Sequence, residues 1–254
     1  MKRVILHAGF HKTGTSHVQR TLRANARALS PYVTLRVRRD MKALMRATRS
    51  FSSMSDMGAL TAVATEFRSL LNEIEDAACL VIAAEELSGH LPGRPRVSDY
   101  SAAPILAEIY SSAIRDRWPR ADVIFHYGTR ARQDWLPSAY WEHVKSSSIT
   151  MNLEDFVARY HTATDLDGIA AQVADLGLEV QTTPLESARG RFGPAEPVLK
   201  LCNLPNDLIL KPQRPHNERL ASAVLLDLLA ANRAYPDRAA LKAAKAAILA
   251  KAET

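Results

Sequence analysis

A short turn rich in glycine, lysine and hydroxyl side chains follows the first apolar run of the chain. Residues 7–16 read HAGFHKTGTS, with Lys12 between Gly9 and Gly14 and hydroxyls at positions 13, 15 and 16. The first N–H groups of a helix have no intrahelical partner and carry the positive end of the helix dipole. A glycine turn lets the backbone approach an anion closely, and a lysine adds charge. The pattern therefore predicts an anion site at the start of a helix beginning at Thr15.

The order of residues in this turn separates it from two familiar phosphate loops. A nucleoside-triphosphate loop places its lysine directly after the second glycine, whereas Lys12 precedes Gly14. The turn also lacks the G-x-G-x-x-G spacing of a dinucleotide site. A simpler interpretation stays open: Thr13 or Thr15 is an ordinary helix N-cap and the lysine is incidental.

A second candidate anion site follows a later apolar run, at residues 122–127. The next residues, GTRARQDWLPSAYWEHVK, predict Asp134 as the N-cap of a helix with Pro137 in its first turn. Ser138 would then lie near the positive end of this helix, with Arg130 on the turn that leads into it. An arginine and a serine at a helix N-terminus can hold a phosphate. The alternative is a solvated loop charge beside a serine on the helix surface.

Together the two segments resemble the sulfotransferases. Phe10 to Ser16 is similar to the bacterial form of the K-x-G-T-[TS] loop, which holds the 5′-phosphosulfate of 3′-phosphoadenylyl sulfate in that family. Arg130, with Ser138 eight positions later, is similar to the family's 3′-phosphate pair, and Arg214 precedes a segment similar to the C-terminal helix of bacterial members. The resemblance implies a P-loop-like fold and 3′-phosphoadenylyl sulfate as co-substrate, without a metal. The implied binding residues are His11, Lys12, Thr13, Gly14, Thr15, Ser16, Arg130, Ser138 and Arg214.

Sulfuryl transfer needs a base for the acceptor and positive charge on the leaving phosphate oxygen. The resemblance implies Lys12 for the charge and Glu85, the first residue after an apolar run at 79–84, for the base. Glu86, His90 and His11 are the alternatives. The competing interpretation is that the two glutamates only begin the next helix, where acidic side chains favour the dipole.

The elements that must position these residues alternate between strands and helices. This order predicts a doubly wound, mostly parallel α/β sheet flanked by helices, with ligands beyond the carboxyl ends of the strands. We expect a single domain over 1–254, in which 216–254 form a helical cover. The predicted strands are 4–8, 33–37, 79–84, 122–127 and 178–181. The predicted helices are 15–29, 41–49, 57–74, 101–118, 135 onward, 197–201, 221–231 and 238–251.

Composition narrows the class of protein. The chain has 254 residues, 47% hydrophobic and 24% charged, and its net charge of +6 is too small to predict a nucleic-acid partner. The chain has two cysteines, and we find neither a signal peptide nor an apolar run of membrane length in the sequence. These features predict a cytoplasmic protein without a membrane span. We expect a small-molecule or glycan acceptor. The basic segment 36–46 suggests an acidic one. Oligomeric state cannot be deduced from the sequence.

Two other functions fit parts of the pattern. A magnesium-dependent nucleotide kinase or NTPase would use residues 80–85 as the strand and acid that hold the metal, although the position of Lys12 argues against it. A non-catalytic nucleotide-binding protein would use Glu85 only as a cap. His17 stands where eukaryotic cytosolic sulfotransferases have an aromatic that stacks on adenine, so the resemblance leaves adenine recognition open.

Overall fold

The computed structural model describes residues 1–213 and 220–252, and its centre is one sheet of five parallel strands. The strands are β1 (Arg3–His7), β2 (Val33–Val37), β3 (Cys79–Ala83), β4 (Asp122–Thr129) and β5 (Glu179–Pro184). They lie in the order β2-β3-β1-β4-β5. Helices flank both faces of the sheet, which confirms the predicted doubly wound class.

The central strands of the sheet are buried on both faces because they are apolar at nearly every position. Val4 and Leu6 of β1 join the larger core cluster, whereas Ile5 between them joins the smaller one on the opposite face. This alternation follows from the two-residue period of a strand.

The helices mostly agree with the sequence prediction. The predicted helix 15–29 is two helices broken at Asn25, the predicted helix 41–49 continues to Met54, and helices at residues 153–160 and 166–174 were not predicted. Among the strands, β4 extends two residues further than predicted. The helices are α1 (Thr15–Ala24), α2 (Ala26–Leu29), α3 (Lys42–Met54), α4 (Met57–Asn72), α5 (Ala102–Arg117), α6 (Arg132–Ser146), α7 (Leu153–Tyr160), α8 (Leu166–Ala174), α9 (Glu196–Leu201), α10 (Ser222–Ala234) and α11 (Arg238–Ala252).

The strand order creates a switch point between β1 and β4. From β1 the chain moves to β2 on one side of the sheet, and after β3 it crosses to β4 on the other side. Ligands of open α/β sheets bind beyond the carboxyl ends of the strands at such a point. The turns after His7 and after Thr129 therefore lie side by side at this end of the sheet, because their strands are direct neighbours.

The two C-terminal helices cover α6 through specific polar contacts. Lys245 is buried, and its Nζ donates to the carbonyls of Val144 and Ser147, each at 2.6 Å. A cation at the C-terminal end of a helix also complements the helix dipole. Asn232 donates to the same region through the carbonyls of Val144 (3.2 Å) and Ile149 (2.8 Å). In the described ranges, no helix combines the length and the apolar character that crossing a membrane requires.

Candidate functional site

The turn between β1 and α1 has a backbone shape that favours glycine. Gly14 is the N-cap of α1 with φ of 97°, and Lys12 also has a positive φ, of 67°. A Cβ on Gly14 would come within 2.9 Å of Pro194 Cγ, so both conformation and space select glycine here. The hydroxyl of Thr13 donates to the carbonyl of Phe10 at 2.6 Å. Within the described residues no side chain caps α1, so the interpretation of Thr13 or Thr15 as its N-cap is wrong.

Two buried aromatic residues fix the middle of this turn. The backbone N–H of His11 donates to the hydroxyl of Tyr100 at 3.0 Å, and Trp135 Nε1 donates to the His11 carbonyl at 2.9 Å. Both aromatic side chains are almost completely buried. The turn is therefore held from α6 and from the segment before α5.

Lys12 forms an ion pair with a residue that the sequence analysis did not identify. Its Nζ lies 3.1 Å from Glu142 Oε2, and Lys145 Nζ lies 3.4 Å from the same oxygen. Burial alone would raise the pKa of Glu142, but the two lysines lower it to about 2. Glu142 is thus a carboxylate at every ordinary pH, and any anion that binds Lys12 must compete with it.

Arg130 reaches the same turn from the neighbouring strand. It follows β4 directly, and its Nη1 donates to the carbonyl of Lys12 at 3.1 Å. The two predicted anion sites are therefore in direct contact, through the Arg130 guanidinium and the backbone of Lys12. Ser138 lies on the face of α6 that carries Trp135 and Glu142, since these residues are spaced by three and four positions. Both flanking residues contact the turn.

The start of α6 differs from the prediction. Ala131 is its N-cap, because the N–H groups of Asp134 and Trp135 already donate to the Ala131 carbonyl at 3.0 and 2.9 Å. Asp134 is consequently in the first turn and is not the cap, and Pro137 lies inside the helix. Ser138 is in the second turn, further from the positive end than expected.

A carboxylate also lies at the start of α6. Glu186 Oε1 accepts a hydrogen bond from the Ala131 N–H at 3.0 Å, next to Arg130 in the chain. Helix N-termini attract anions. Each predicted phosphate region thus contacts a carboxylate of the protein itself: Glu142 at Lys12 and Glu186 at α6.

Glu85 is the best placed of the candidate bases. It begins a 3-10 turn just past the end of β3, and its Oε2 accepts from Gln19 Nε2 of α1 at 2.8 Å. Burial, and then the charge of Glu86, raise the pKa of Glu85 above its ordinary value. A raised pKa makes a carboxylate a better base near neutral pH.

Glu86 has a structural role. Its side chain is 3% exposed, and Oε1 contacts Arg38 Nε at 2.6 Å and Arg49 Nη1 at 3.1 Å. A buried carboxylate held by two arginines stabilises their positions, and removing it would leave both cations without a partner. Glu85 is the more exposed of the two glutamates, and Glu86 stays the alternative base.

The two candidate histidines are neutral and weakly basic. Burial, and then charge from His90 and nearby arginines, hold the pKa of His11 well below its ordinary value. Burial and nearby cations lower the pKa of His90 to about 4. Their rings lie 6.3 Å apart between centroids, and His11 Nδ1 is 3.1 Å from the hydroxyl of Tyr100.

Arg214, the last predicted phosphate ligand, lies outside the described residues.

A buried histidine pair lies beneath the turn and was also missed. His7 Nδ1 and His126 Nδ1 are 2.8 Å apart on the paired strands β1 and β4, and His126 Nε2 is 3.1 Å from Thr183 Oγ1. Burial lowers the pKa of His126 to about 4, and burial and His126 lower that of His7. The pair is neutral and links the three neighbouring strands β1, β4 and β5 below the turn.

No protein-family model matches the chain, and no curated protein sequence matches it either. The candidate site consists of a glycine-shaped turn, Arg130 and Lys12 at that turn, and a carboxylate of raised pKa just past the end of the neighbouring strand β3.

Proposed function

We propose that the protein is a sulfotransferase that moves a sulfuryl group from 3′-phosphoadenylyl sulfate to a hydroxyl or amine acceptor. The observation that carries the proposal is the 3.1 Å contact between Arg130 Nη1 and the Lys12 carbonyl. One ligand with a phosphate on each side of its ribose can reach both cations only if they lie close together, and this contact brings the Arg130 guanidinium to the backbone of Lys12. A triphosphate would not need the second cation.

In this proposal the turn at residues 12–16 binds the 5′ end of the nucleotide. The N–H groups at the start of α1 and the hydroxyls of the turn donate to the phosphate, and Lys12 supplies the charge. Lys12 exchanges its partner Glu142 for the ligand. Arg130 binds the 3′-phosphate together with Ser138 of the adjoining helix.

The transfer step needs two groups of this chain. Glu85 accepts the proton of the acceptor O–H or N–H while the acceptor oxygen or nitrogen forms a bond to sulfur. The bond between sulfur and the bridging oxygen of the 5′-phosphate breaks, and that oxygen takes the electron pair. Lys12 stabilises the charge that develops there. The products are the sulfated acceptor and adenosine 3′,5′-bisphosphate.

Ligand binding tests the nucleotide part of the proposal. We would measure thermal shifts with adenosine 3′,5′-bisphosphate, with 5′-AMP, and with ATP plus magnesium. The bisphosphate should give the largest shift, and Arg130→Ala should reduce it to that of 5′-AMP. Arg120→Ala is the matched control, since Arg120 is exposed before β4 at the opposite end of the strand. A larger shift with ATP and magnesium would overturn the proposal in favour of a kinase or NTPase.

Turnover tests the catalytic part. Transfer from sulfur-labelled 3′-phosphoadenylyl sulfate to a panel of hydroxyl and amine acceptors should be measured with the wild type and with Glu85→Gln. Loss of a general base typically slows a reaction by about 10²–10⁴-fold. We expect a loss in this range with unchanged bisphosphate affinity. Bisphosphate binding with no transfer to any acceptor, or an active Glu85→Gln variant, would contradict the role of Glu85.

A further inference from the structure

A groove lined by cationic side chains lies beside the candidate base. It has a volume of about 470 Å³ and runs between α1, the end of β2 and α3. This volume is within the range of ~300–1,000 Å³ typical of small-molecule sites. We call it the basic groove, and its charged side chains are Arg23, Arg38, Arg39, Lys42, Arg46 and Arg49.

The positive charge of the basic groove exceeds what its own carboxylates neutralise. Six cations face three acids: Glu86, which contacts Arg38 and Arg49; Asp40, which contacts Arg39 at 3.5 Å; and Glu85, whose charge acts on Arg38. The excess of three charges is half of the +6 carried by the whole chain. Arg23, Lys42 and Arg46 are exposed, and among the described residues they form no ion pair. Like charges gathered in this way repel one another, so an anionic ligand would relieve a cost in the folded protein.

Part of the groove is held in place from below. Glu86 is 3% exposed and binds both Arg38 and Arg49 through a single oxygen, which fixes the direction of two guanidinium groups. A fixed guanidinium loses less freedom on binding a carboxylate, sulfate or phosphate than a mobile one does.

Gln19 connects the groove to the candidate base. Its Nε2 donates to Glu85 Oε2 at 2.8 Å, and its Oε1 accepts a hydrogen bond from the backbone N–H of Arg38 at 3.3 Å. Gln19 also lines the groove. A molecule bound in the groove is therefore one side chain away from the carboxylate proposed to take the acceptor proton.

We infer that the basic groove binds the acceptor, and that the acceptor is a small molecule or short oligosaccharide carrying two or more anionic oxygen groups near its reacting hydroxyl or amine. The identification of the ligand as acceptor rests on the proposed function. Two kinds of ligand share this chemistry: an acidic sugar, through its carboxylate and sulfate groups, and a phosphorylated polyol, through its phosphates. Measuring the binding of one probe of each kind distinguishes between them.

The test uses calorimetry with three probes: a sulfated glucuronic-acid tetrasaccharide, inositol hexakisphosphate, and neutral maltotetraose. The variant K42Q/R46Q removes two exposed cations of α3, and the control R238Q/K242Q removes two exposed cations of α11. An acidic probe should bind, and K42Q/R46Q should weaken it by about tenfold while the control changes it by less than twofold. In transfer assays K42Q/R46Q should raise KM for an acidic acceptor and leave kcat unchanged. The affinity for adenosine 3′,5′-bisphosphate should not change.

Five results would overturn the inference. Equal binding of maltotetraose, or an acidic probe that K42Q/R46Q binds as well as the wild type, would remove the anion site. Tighter binding of a twelve-nucleotide single-stranded DNA, lost in K42Q/R46Q, would assign the groove to nucleic acid. An acidic probe that binds in the groove of a protein with no affinity for the bisphosphate would overturn both the acceptor role and the proposed function. Bisphosphate binding without an anion-binding groove would overturn this inference alone.

Discussion

Lys12 is held by a carboxylate that its proposed ligand must displace. Its Nζ lies 3.1 Å from Glu142 Oε2, and the two side chains are 23% and 29% exposed. The substitution Glu142→Gln keeps the length and shape of the side chain and removes its charge. Because a phosphate would then meet no competing anion at Lys12, we expect Glu142→Gln to bind adenosine 3′,5′-bisphosphate more tightly than the wild type does.

The ion pair sets the size of this gain. Two unit charges at 3.1 Å attract by about 1.3 kcal/mol in water, and pairs of this exposure contribute about 0–1 kcal/mol net. Lys145 shares the same carboxylate oxygen, so only part of this free energy belongs to Lys12. Since ~1.4 kcal/mol is a tenfold change in affinity, we expect the Kd to fall by about two- to fivefold.

Titration calorimetry at pH 5.5 and pH 8 measures the effect, with Glu108→Gln as control. Glu108 is exposed on α5, and its substitution changes the net charge equally. The pKa of Glu142 is about 2, so its carboxylate is ionised at both pH values and the gain should be the same. Weaker binding by Glu142→Gln would mean that the glutamate orients Lys12 for the ligand. An equal gain in Glu108→Gln, or a gain that disappears at pH 5.5, would also refute the reasoning.

Three further predictions concern stability. Gly14→Ala should lower the free energy of unfolding by more than the ~1–2 kcal/mol that a left-handed conformation costs a non-glycine residue, and it should weaken bisphosphate binding. Gly177 also has a positive φ, but the space around its Cβ is open. Gly177→Ala should therefore show only the conformational cost and leave binding unchanged. Lys245→Met should lower the free energy of unfolding by about 2 kcal/mol, because buried carbonyls at the end of α6 lose a charged donor, and Lys242→Met should not. Two histidines are almost fully buried, with pKa values of about 4: His126 and His143. In the unfolded chain these histidines take up protons below pH ~6.5, whereas in the folded chain they stay neutral. The free energy of unfolding, measured with urea, should therefore fall by about 1 kcal/mol per histidine between pH 7.5 and 5.5. A free energy of unfolding that stays constant over this range would contradict the prediction.

The sequence pattern was sufficient for most of the fold because the central strands are short apolar runs that alternate with helical segments. The bounds of β2 agree with the prediction, and β3 ends one residue earlier than predicted. The break at Asn25 was not visible, because it depends on a distant partner: Asn25 Nδ2 donates to the Lys211 carbonyl at 2.9 Å, and the Lys211 N–H donates to Asn25 Oδ1 at 2.7 Å. The missed helices α7 and α8 lie in a stretch that received no secondary-structure prediction.

The sequence predicted the cationic residues of the candidate site but not the carboxylates that contact its two anion-binding regions. Lys12 and Arg130 stand out because each follows an apolar strand in a segment of phosphate-binding type. Glu142 is far from both in the chain, although its spacing from Ser138 on one helical face was a usable signal. Glu186 gave no such signal, since only the tertiary fold brings it to Ala131. The start of α6 was misplaced because a proline favours the first turn, whereas Pro137 lies inside this helix.

A crystal structure with adenosine 3′,5′-bisphosphate tests the central claim most directly. We predict the 5′-phosphate on the turn at residues 12–16, with Lys12 Nζ moved from Glu142 to the ligand, and the 3′-phosphate within hydrogen-bond distance of Arg130 and Ser138. A bisphosphate that binds elsewhere, or that contacts only one of Lys12 and Arg130, would contradict the account.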